Sequence, residues 1–272
     1  MLQRTRLACF ATLPDGHGFD ATVAAAAGAG FEEFAIWIMS LDAAREELGS
    51  LEAVAACLER HGMRVSVLEL LHAWALADAG AAAEEIEVLG ATADIFDPDM
   101  LLATSLAPAL GDDSLQHLKR ACQAFAPRKL ALEFLPFGAV SDLATALSII
   151  EAVNETNLGL VFDSWHFARS GADYDLLEKV PGELIHFIQL NDASPDPPAD
   201  IFADTMKQRL RPGEGLLDWP RLIGILEEKS LVCPIGSEQY SDAVKAMALD
   251  EACRYLFDSV QQIVENPWAR PA

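Results

Sequence analysis

Eight short apolar runs recur along the chain, and segments with a helical pattern separate them. The runs are rich in Val, Ile, Leu and Phe and are too short for buried helices, so they indicate strands. Nearly continuous apolar strands are typical of a parallel sheet that is covered on both faces. The predicted strands span residues 6–12, 31–38, 64–70, 93–98, 129–135, 158–163, 184–192 and 232–238.

The predicted helices fall between these strands, at residues 20–30, 50–62, 112–126, 142–155, 218–230 and 250–265. Eight strands alternating with helices in a chain of 272 residues predict an α/β fold, a single (β/α)8 TIM barrel formed by residues 1–272. A doubly wound sheet is the alternative, because the fourth strand is weakly marked. We expect the irregular segment 193–202 to cover a site.

The chain is strongly acidic, with 19 basic against 42 acidic residues and a net charge of −23. This field repels phosphate backbones and anionic membranes, so we expect neither nucleic acid nor a membrane as a partner. A small-molecule substrate fits this charge better. The sequence does not decide between a monomer and a homo-oligomer.

The cysteines predict a reducing compartment, because they are odd in number and form no C-x-x-C pair. They are Cys9, Cys57, Cys122, Cys233 and Cys253. The first residues, MLQRTRLACFATL, contain too short an apolar run for a signal peptide, and no stretch is long enough to span a membrane. A cytoplasmic location is therefore expected.

Polar residues stand at the ends of four consecutive predicted strands, the fifth to the eighth. They are Glu133, Asp163, Gln189 and Glu238. The carboxyl ends of barrel strands meet at one face, so three carboxylates would converge and repel one another. A divalent cation would remove this repulsion, and oxygen ligands favour Mg²⁺ or Mn²⁺ over zinc. The alternative is that each acid caps a helix or pairs with an arginine.

Five segments resemble the xylose isomerase-like TIM-barrel family of sugar phosphate isomerases and epimerases: ALEFLPFG, GLVFDSWHFARSG, FIQLNDA, RLRPGEG and GSEQY. In relatives such as tagatose 3-epimerase, strands 5 to 8 present Glu, Asp, His and Glu to one divalent metal ion. The resemblance therefore implies that Glu133, Asp163, Gln189 and Glu238 hold one divalent ion, Mn²⁺ or Mg²⁺.

The chain departs from this family pattern at two positions. Gln189 stands where a histidine is usual, and its amide oxygen is a harder donor than imidazole. At this point the chain also resembles the 3-dehydroshikimate dehydratases of the same superfamily, some of which carry a glutamine there. Ala35 stands where relatives often have a glutamate, and Trp37 is expected to form an apolar wall instead.

The resemblance also implies two further site residues. His166, in the D-x-x-H segment, would contact a substrate hydroxyl or carbonyl, whereas the alternative is that it caps the next helix. Arg209, in the R-x-x-P-G-x-G segment, would bind a carboxylate, phosphate or oxyanion. Asp192 and Glu214 are candidates for hydrogen bonds to a metal ligand, with a turn or cap as the alternative.

Two histidines are expected outside the site. His186 lies an odd number of residues from Gln189, so its side chain should point to the other face of the strand and pack against a helix. His72, near the third strand, is also expected to pack against a helix.

The implied activity is that of a divalent-metal-dependent isomerase or epimerase, acting by enolisation on a small polyhydroxylated carbonyl compound. Glu133 and Glu238 would then take and return the proton. The alternative is a dehydratase of the 3-dehydroshikimate or keto-cyclitol type on the same site. A barrel that binds metal or ligand without catalysis is a third hypothesis. The endonuclease IV branch is excluded, because it needs a histidine-rich trinuclear zinc site and this chain has six scattered histidines.

Overall fold

A computed structural model describes residues 7–196 and 198–265. Eight parallel strands close into a barrel in which each strand pairs with the next and the eighth pairs with the first. The predicted (β/α)8 fold is therefore confirmed. The strands are β1 (Leu7–Cys9), β2 (Glu33–Trp37), β3 (Arg64–Leu71), β4 (Met100–Ala103), β5 (Lys129–Glu133), β6 (Leu158–Asp163), β7 (Ile185–Leu190) and β8 (Ile235–Ser237).

Helices follow the strands and cover the outside of the barrel. In the described part of the chain they are α1 (Phe19–Ala29), α2 (Ile38–Leu48), α3 (Leu51–Arg60), α4 (Ala79–Phe96), α5 (Ser114–Phe125), α6 (Leu143–Val153), α7 (Ser164–Arg169), α8 (Tyr174–Lys179), α9 (Ile201–Lys207), α10 (Trp219–Glu228), α11 (Asp242–Lys245) and α12 (Leu249–Glu265). None of the helices in residues 7–196 and 198–265 is long and apolar enough to cross a membrane.

Alternation along the strands decides which side chains fill the barrel. The inward-facing side chains form an apolar cluster of their own, separate from the larger core between barrel and helices. Its buried members are Leu7, Cys9, Ala35, Val67, Met100, Leu102, Ala131, Val161 and Phe187. Two residues after Val67, Ala131, Val161 and Phe187, the next inward positions hold polar side chains. The interior thus changes from apolar to polar at the carboxyl end of the barrel.

The prediction for the fourth strand was wrong. Residues 93–96 form the last turn of α4, which begins after the N-cap Asp78 and ends at Asp97, where φ is 46°. The strand follows as the four buried residues of β4. The A-D-I-F segment has a strand-like composition, but the long preceding helix runs through it, and the side chain of Ile95 stays 37% exposed.

The other seven predicted strands are in the right places. The sixth has the predicted bounds and the third is one residue longer than predicted, whereas the remaining five were predicted too long. The first one stops at Cys9, and residues Phe10–Thr12 form a 3₁₀ turn. The eighth is reduced to three residues. The six predicted helices correspond to α1, α3, α5, α6, α10 and α12, with ends that differ by a few residues.

The two histidines expected outside the site do not line the cavity. The ring of His186 lies over Gly159 of β6, and its Nδ1 is 3.3 Å from the carbonyl oxygen of Leu130. It therefore contacts both β5 and β6. His72 does contact a helix, because Glu85 of α4 accepts from both its backbone N–H and its ring.

Candidate active site

A cavity of about 270 Å³ opens at the carboxyl end of the barrel. Its inner end is polar and is formed by Glu69, Glu133, His166, Arg209 and Glu238. Its outer part is apolar and includes Leu106, Leu135, Phe137, Phe202 and Met206. Phe202 and Met206 come from α9, so this helix lines the cavity. Its first two residues are the end of segment 193–202, which we expected to cover a site.

The four predicted strand-end residues lie close to one another, and two of them, Glu133 and Glu238, line this inner end. Gln189 Nε2 donates to Glu238 Oε1 at 2.8 Å. Arg209 Nη1 donates to Asp163 Oδ2 and to Glu238 Oε2, both at 3.0 Å. Asp163 and Gln189 are fully buried, and Glu133 and Glu238 are at most 7% exposed. One guanidinium thus joins carboxylates from two strands.

Glu133 joins the group through His166. The Oε1 atom of Glu133 is 3.6 Å from His166 Nε2. One ligand atom from each of Glu133, Asp163 and His166 lies within 4.8 Å of the others, so these three residues could hold a metal ion. His166 is therefore close enough to be a ligand as well as a substrate contact.

Asp163 shows both features of the alternative interpretation, a helix cap and a pairing with an arginine. It ends β6 and is also the N-cap of α7, where its Oδ1 accepts from the backbone N–H of His166 at 2.8 Å. Its Oδ2 accepts from Asn191 Nδ2 at 2.9 Å and from Arg209. The capping bond fixes the short helix α7, and this places His166 over the site.

Arg209 is held on every side and is only 3% exposed. Its Nε donates to the carbonyl oxygen of Thr205, and its Nη2 donates to Thr205 Oγ1 at 2.8 Å. The guanidinium also lies between the rings of Trp165 and Tyr240, 5.2 and 5.1 Å from their centroids. Arg211, by contrast, donates to Gln262 away from the cavity. The structure thus directs Arg209 towards the carboxylates of the site.

Burial decides the protonation of these groups. It raises the pKa of Glu133 and of Glu238 well above the usual value, and the charges of neighbouring carboxylates add to this. Burial also opposes ionisation of Asp163, but Arg209 and His166 outweigh it and keep the pKa of Asp163 below the usual value. Burial lowers the pKa of His166 to about 3, so the imidazole is neutral at neutral pH.

The loop that carries Arg209 is organised by Asp192. Its carboxylate accepts from the backbone N–H groups of Gly213 and Gly215 and from Trp219 Nε1. Asp192 therefore fixes the turn, as the alternative interpretation proposed. Glu214 is exposed, so it does not join the buried ligand group.

Sequence reasoning missed Glu69 and Asn191. Glu69 faces the cavity from β3, accepts from Trp37 Nε1 at 2.8 Å and is 3% exposed. Burial raises its pKa to about 7, against the hydrogen bond from Trp37. A glutamate within the apolar run RVSVLEL was a sufficient signal, since the same signal identified Glu133. Asn191 donates to Asp163 Oδ2 and to the carbonyl oxygen of Glu238, and nothing in its sequence context marked it.

The residues present fit a divalent cation. Gln189 Oε1 is fully buried, and no partner within the described residues satisfies it. It belongs to the side chain that donates to Glu238, and Glu238 shares the guanidinium of Arg209 with Asp163. Burial and neighbouring carboxylates raise the pKa of Glu133 and Glu238, so ionising these groups is costly here. A hard cation bound to their oxygens and to the unsatisfied amide oxygen would remove this cost.

Comparison with known proteins identifies the family. The sequence pattern that describes the xylose isomerase-like TIM barrel matches residues 23–258. The chain belongs to this family. The resemblance inferred from the strand-end motifs is thereby confirmed.

Individual relatives suggest two kinds of reaction. An inosose isomerase of Halalkalibacterium halodurans is 30% identical over 140 residues, which are 51% of this chain and 49% of that protein. A 3-dehydroshikimate dehydratase of Pseudomonas aeruginosa is 28% identical over 155 residues, 54% of this chain and 24% of that protein. The chain thus spans about half the length of the isomerases it matches, and less of the dehydratase.

A solved structure shows the same fold over nearly the whole chain. The IolI protein with a bound zinc atom superposes with a TM-score of 0.86 over 97% of this chain and 99% of its own length, at 21% identity. At this identity the likeness establishes the fold.

Proposed function

We propose that the protein is a divalent-metal-dependent isomerase or epimerase of a small polyhydroxylated carbonyl compound. The observation that carries the proposal is the buried cluster of Glu133, Asp163, Gln189 and Glu238, of which Glu133 and Glu238 line the cavity. The inosose isomerase relatives support the same class of reaction. The Mn²⁺ or Mg²⁺ assignment follows from the all-oxygen donor set.

In this proposal Glu133, Asp163, Gln189 and Glu238 hold the ion. When bound, a divalent ion polarises a substrate carbonyl and makes the neighbouring C–H more acidic. Glu133 and Glu238 come from strands on either side of β6 and β7, so they reach the substrate carbon from different sides. One carboxylate takes the proton from carbon, and the other carboxyl group returns a proton, so no water is lost.

His166 and Arg209 support this exchange in different ways. The neutral imidazole of His166 can hydrogen-bond a substrate oxygen without adding positive charge. Arg209 fixes the orientation of Glu238 and Asp163 through one nitrogen that both carboxylates share. Arg209 therefore acts through these carboxylates, and this differs from the direct substrate contact that the resemblance implied.

A dehydratase on the same site is the second candidate, and Gln189 is the observation that favours it. Enolisation would be common to both reactions, but in the dehydratase a β-hydroxyl group leaves as water. The P. aeruginosa relative supports this alternative.

Proton NMR in D₂O distinguishes the two candidates. The protein with Mn²⁺ or Mg²⁺ is incubated with keto-sugars, inososes and 3-dehydroshikimate. Deuterium gained at carbon without loss of water supports the isomerase, and loss of water supports the dehydratase. Treatment with EDTA should remove the activity, and Mn²⁺ or Mg²⁺ should restore it. Full activity of the metal-stripped protein would contradict both candidates.

A further inference from the structure

A second polar wall faces the cavity on the side of β2 and β3. Its centre is Glu69, whose Oε2 is held by Trp37 Nε1 at 2.8 Å. Its other oxygen, Oε1, is buried and has no hydrogen-bond partner among the described residues. The ring of Trp37 lies 6.1 Å from that of Tyr240, and both rings line the same cavity.

Glu69 is not a member of the group that could hold a metal ion, although it lines the same cavity. That group contains Glu133, Asp163 and His166, from β5 and from the end of β6. Glu69 comes from β3 and pairs in register with Trp37 of β2. A buried carboxylate oxygen without a donor is costly, and a donor that arrives with a ligand removes this cost.

We infer that Glu69 is a substrate-recognition residue, whose Oε1 accepts a hydrogen bond from a hydroxyl group of the substrate. Trp37 is its positioning residue, because the indole N–H fixes the carboxylate and leaves one oxygen free. This inference rests on the proposed function in one respect, namely that the substrate is a polyhydroxylated molecule bound in this cavity.

The charges around the cavity narrow the chemistry of this substrate. Among the described residues that line it, Arg209 is the only Lys or Arg. Its guanidinium is already engaged by Asp163, Glu238 and Thr205. A phosphate or carboxylate beside Glu69 would therefore meet a carboxyl group, with no unengaged Lys or Arg among the described residues that line the cavity. The end of the substrate that contacts Glu69 carries neutral hydroxyl groups.

Binding of two cyclitols, measured by tryptophan fluorescence and calorimetry on the Mg²⁺-loaded protein, tests this inference. The probes are myo-inositol, which is neutral, and shikimate, which carries a carboxylate on a ring of the same size. Wild-type protein should bind myo-inositol at least tenfold more tightly than shikimate. Glu69→Ala should weaken myo-inositol binding at least tenfold. Glu69→Gln should bind shikimate more tightly than wild type does, so the ratio of myo-inositol affinity to shikimate affinity should fall.

Two further variants separate recognition from a structural effect. Trp37→Phe keeps the apolar wall but removes the indole N–H, so it should weaken myo-inositol binding. Added to Glu69→Ala, it should cause no further loss, because both changes disable the same contact. Glu33→Gln is the matched control: it makes the same charge change at the opposite end of β2, where Glu33 pairs with Arg64. It should leave both affinities unchanged.

Unchanged affinities in both Glu69 variants would overturn the inference, as would a wild-type protein that binds neither probe. Thermal unfolding of each variant identifies any that fail to fold. If Glu69→Ala fails to fold, the inference is tested with Glu69→Gln, which keeps the shape of the side chain. Deuterium exchange on keto-substrates is scored separately. If the Glu69 variants lose myo-inositol binding but the wild-type protein catalyses no deuterium exchange on any substrate, the proposed reaction is refuted and the role of Glu69 stands. If the wild-type protein catalyses exchange but the Glu69 variants bind both probes as wild type does, the role of Glu69 is refuted and the proposed reaction stands.

Discussion

Gln189 differs from the usual histidine in the kind of atom that it presents to a cation. Its Nε2 donates to Glu238, and this bond fixes the amide so that Oε1 is left for another partner. A histidine at this position would present a nitrogen, which suits softer ions. Residue 189 is therefore where one substitution would alter the proposed donor set.

Gln189→His should shift metal preference towards Zn²⁺ or Co²⁺. The imidazole replaces an amide of comparable reach, so we expect the ratio of Zn²⁺ to Mg²⁺ affinity to rise by at least about tenfold, or about 1.4 kcal/mol. Calorimetric titration of the metal-free protein measures it. Gln208→His, at an exposed position, is the control. An unchanged ratio would place residue 189 outside the ligand set, and His186 would not replace it because its ring lies outside the barrel.

Glu238→Gln should abolish turnover and leave the fold intact. A glutamine keeps one acceptor oxygen for the two donors Gln189 and Arg209, and it cannot take up or return a proton, so the rate should fall by about two to four orders of magnitude. The rate of deuterium incorporation and the unfolding midpoint measure the two effects. Glu214→Gln, on the exposed part of the loop, should change neither. Turnover close to that of wild type would remove Glu238 from the proton exchange.

The site could be predicted from sequence where a polar residue interrupts an apolar strand. Glu133, Asp163, Gln189 and Glu238 share this signal, and the structure brings them together. Most of the buried hydrogen bonds of Arg209 and Asn191 are different, because they form between loops that are far apart in the sequence. Their arrangement could not be predicted, because no local pattern records which loops come into contact.

At the scale of secondary-structure elements, β4 shows why one strand was misplaced. Its four residues are all buried, but four residues are too few to show a clear pattern of hydrophobicity. The polar residues D-P-D come directly before them. The helix before it has no strong breaker until Asp97. Local composition favoured a strand at 93–98, but continuation of an established helix prevailed.

Close packing between β6 and β7 makes Gly159 a sensitive position. A Cβ atom there would lie 2.5 Å from three atoms of the His186 ring. Gly159→Ala should therefore destabilise the protein by about 2 kcal/mol or more, because the buried ring must move. Urea unfolding measures the change.

Gly28→Ala is the matched control for this substitution. Gly28 lies in α1, is exposed, and would meet nothing within 4 Å of an added Cβ. Alanine should stabilise the helix by about 0.5–1 kcal/mol. Equal changes in the free energy of unfolding for the two alanine substitutions would contradict this prediction. They would show that a methyl group fits on the outer face of β6 without displacing the His186 ring.

At the scale of the whole molecule, a net charge of −23 makes the response to acid depend on opposing effects. Protonation of surface carboxylates relieves repulsion as the pH falls. Buried neutral histidines have the opposite effect on stability as the pH falls. The unfolded state takes up a proton on these rings more readily than the folded state, so acid favours unfolding. His186 is suited to a test of the second effect, since it lies outside the candidate metal site.

The pKa of His186 is lowered by burial to about 4, whereas the ordinary value is 6.5. The folded state thus favours the neutral ring, so its stabilising contribution is complete above pH 6.5 and is lost as the pH falls from 6.5 towards 4. A shift of this size corresponds to about 3 kcal/mol. His186→Asn keeps an N–H for the carbonyl of Leu130 but cannot ionise. Urea unfolding between pH 7.5 and 4.5 should therefore show a smaller loss of stability in the variant than in wild type, even where the variant is less stable at pH 7.5. Parallel stability curves for the two proteins would mean that His186 is already solvated, or already protonated, in the folded state.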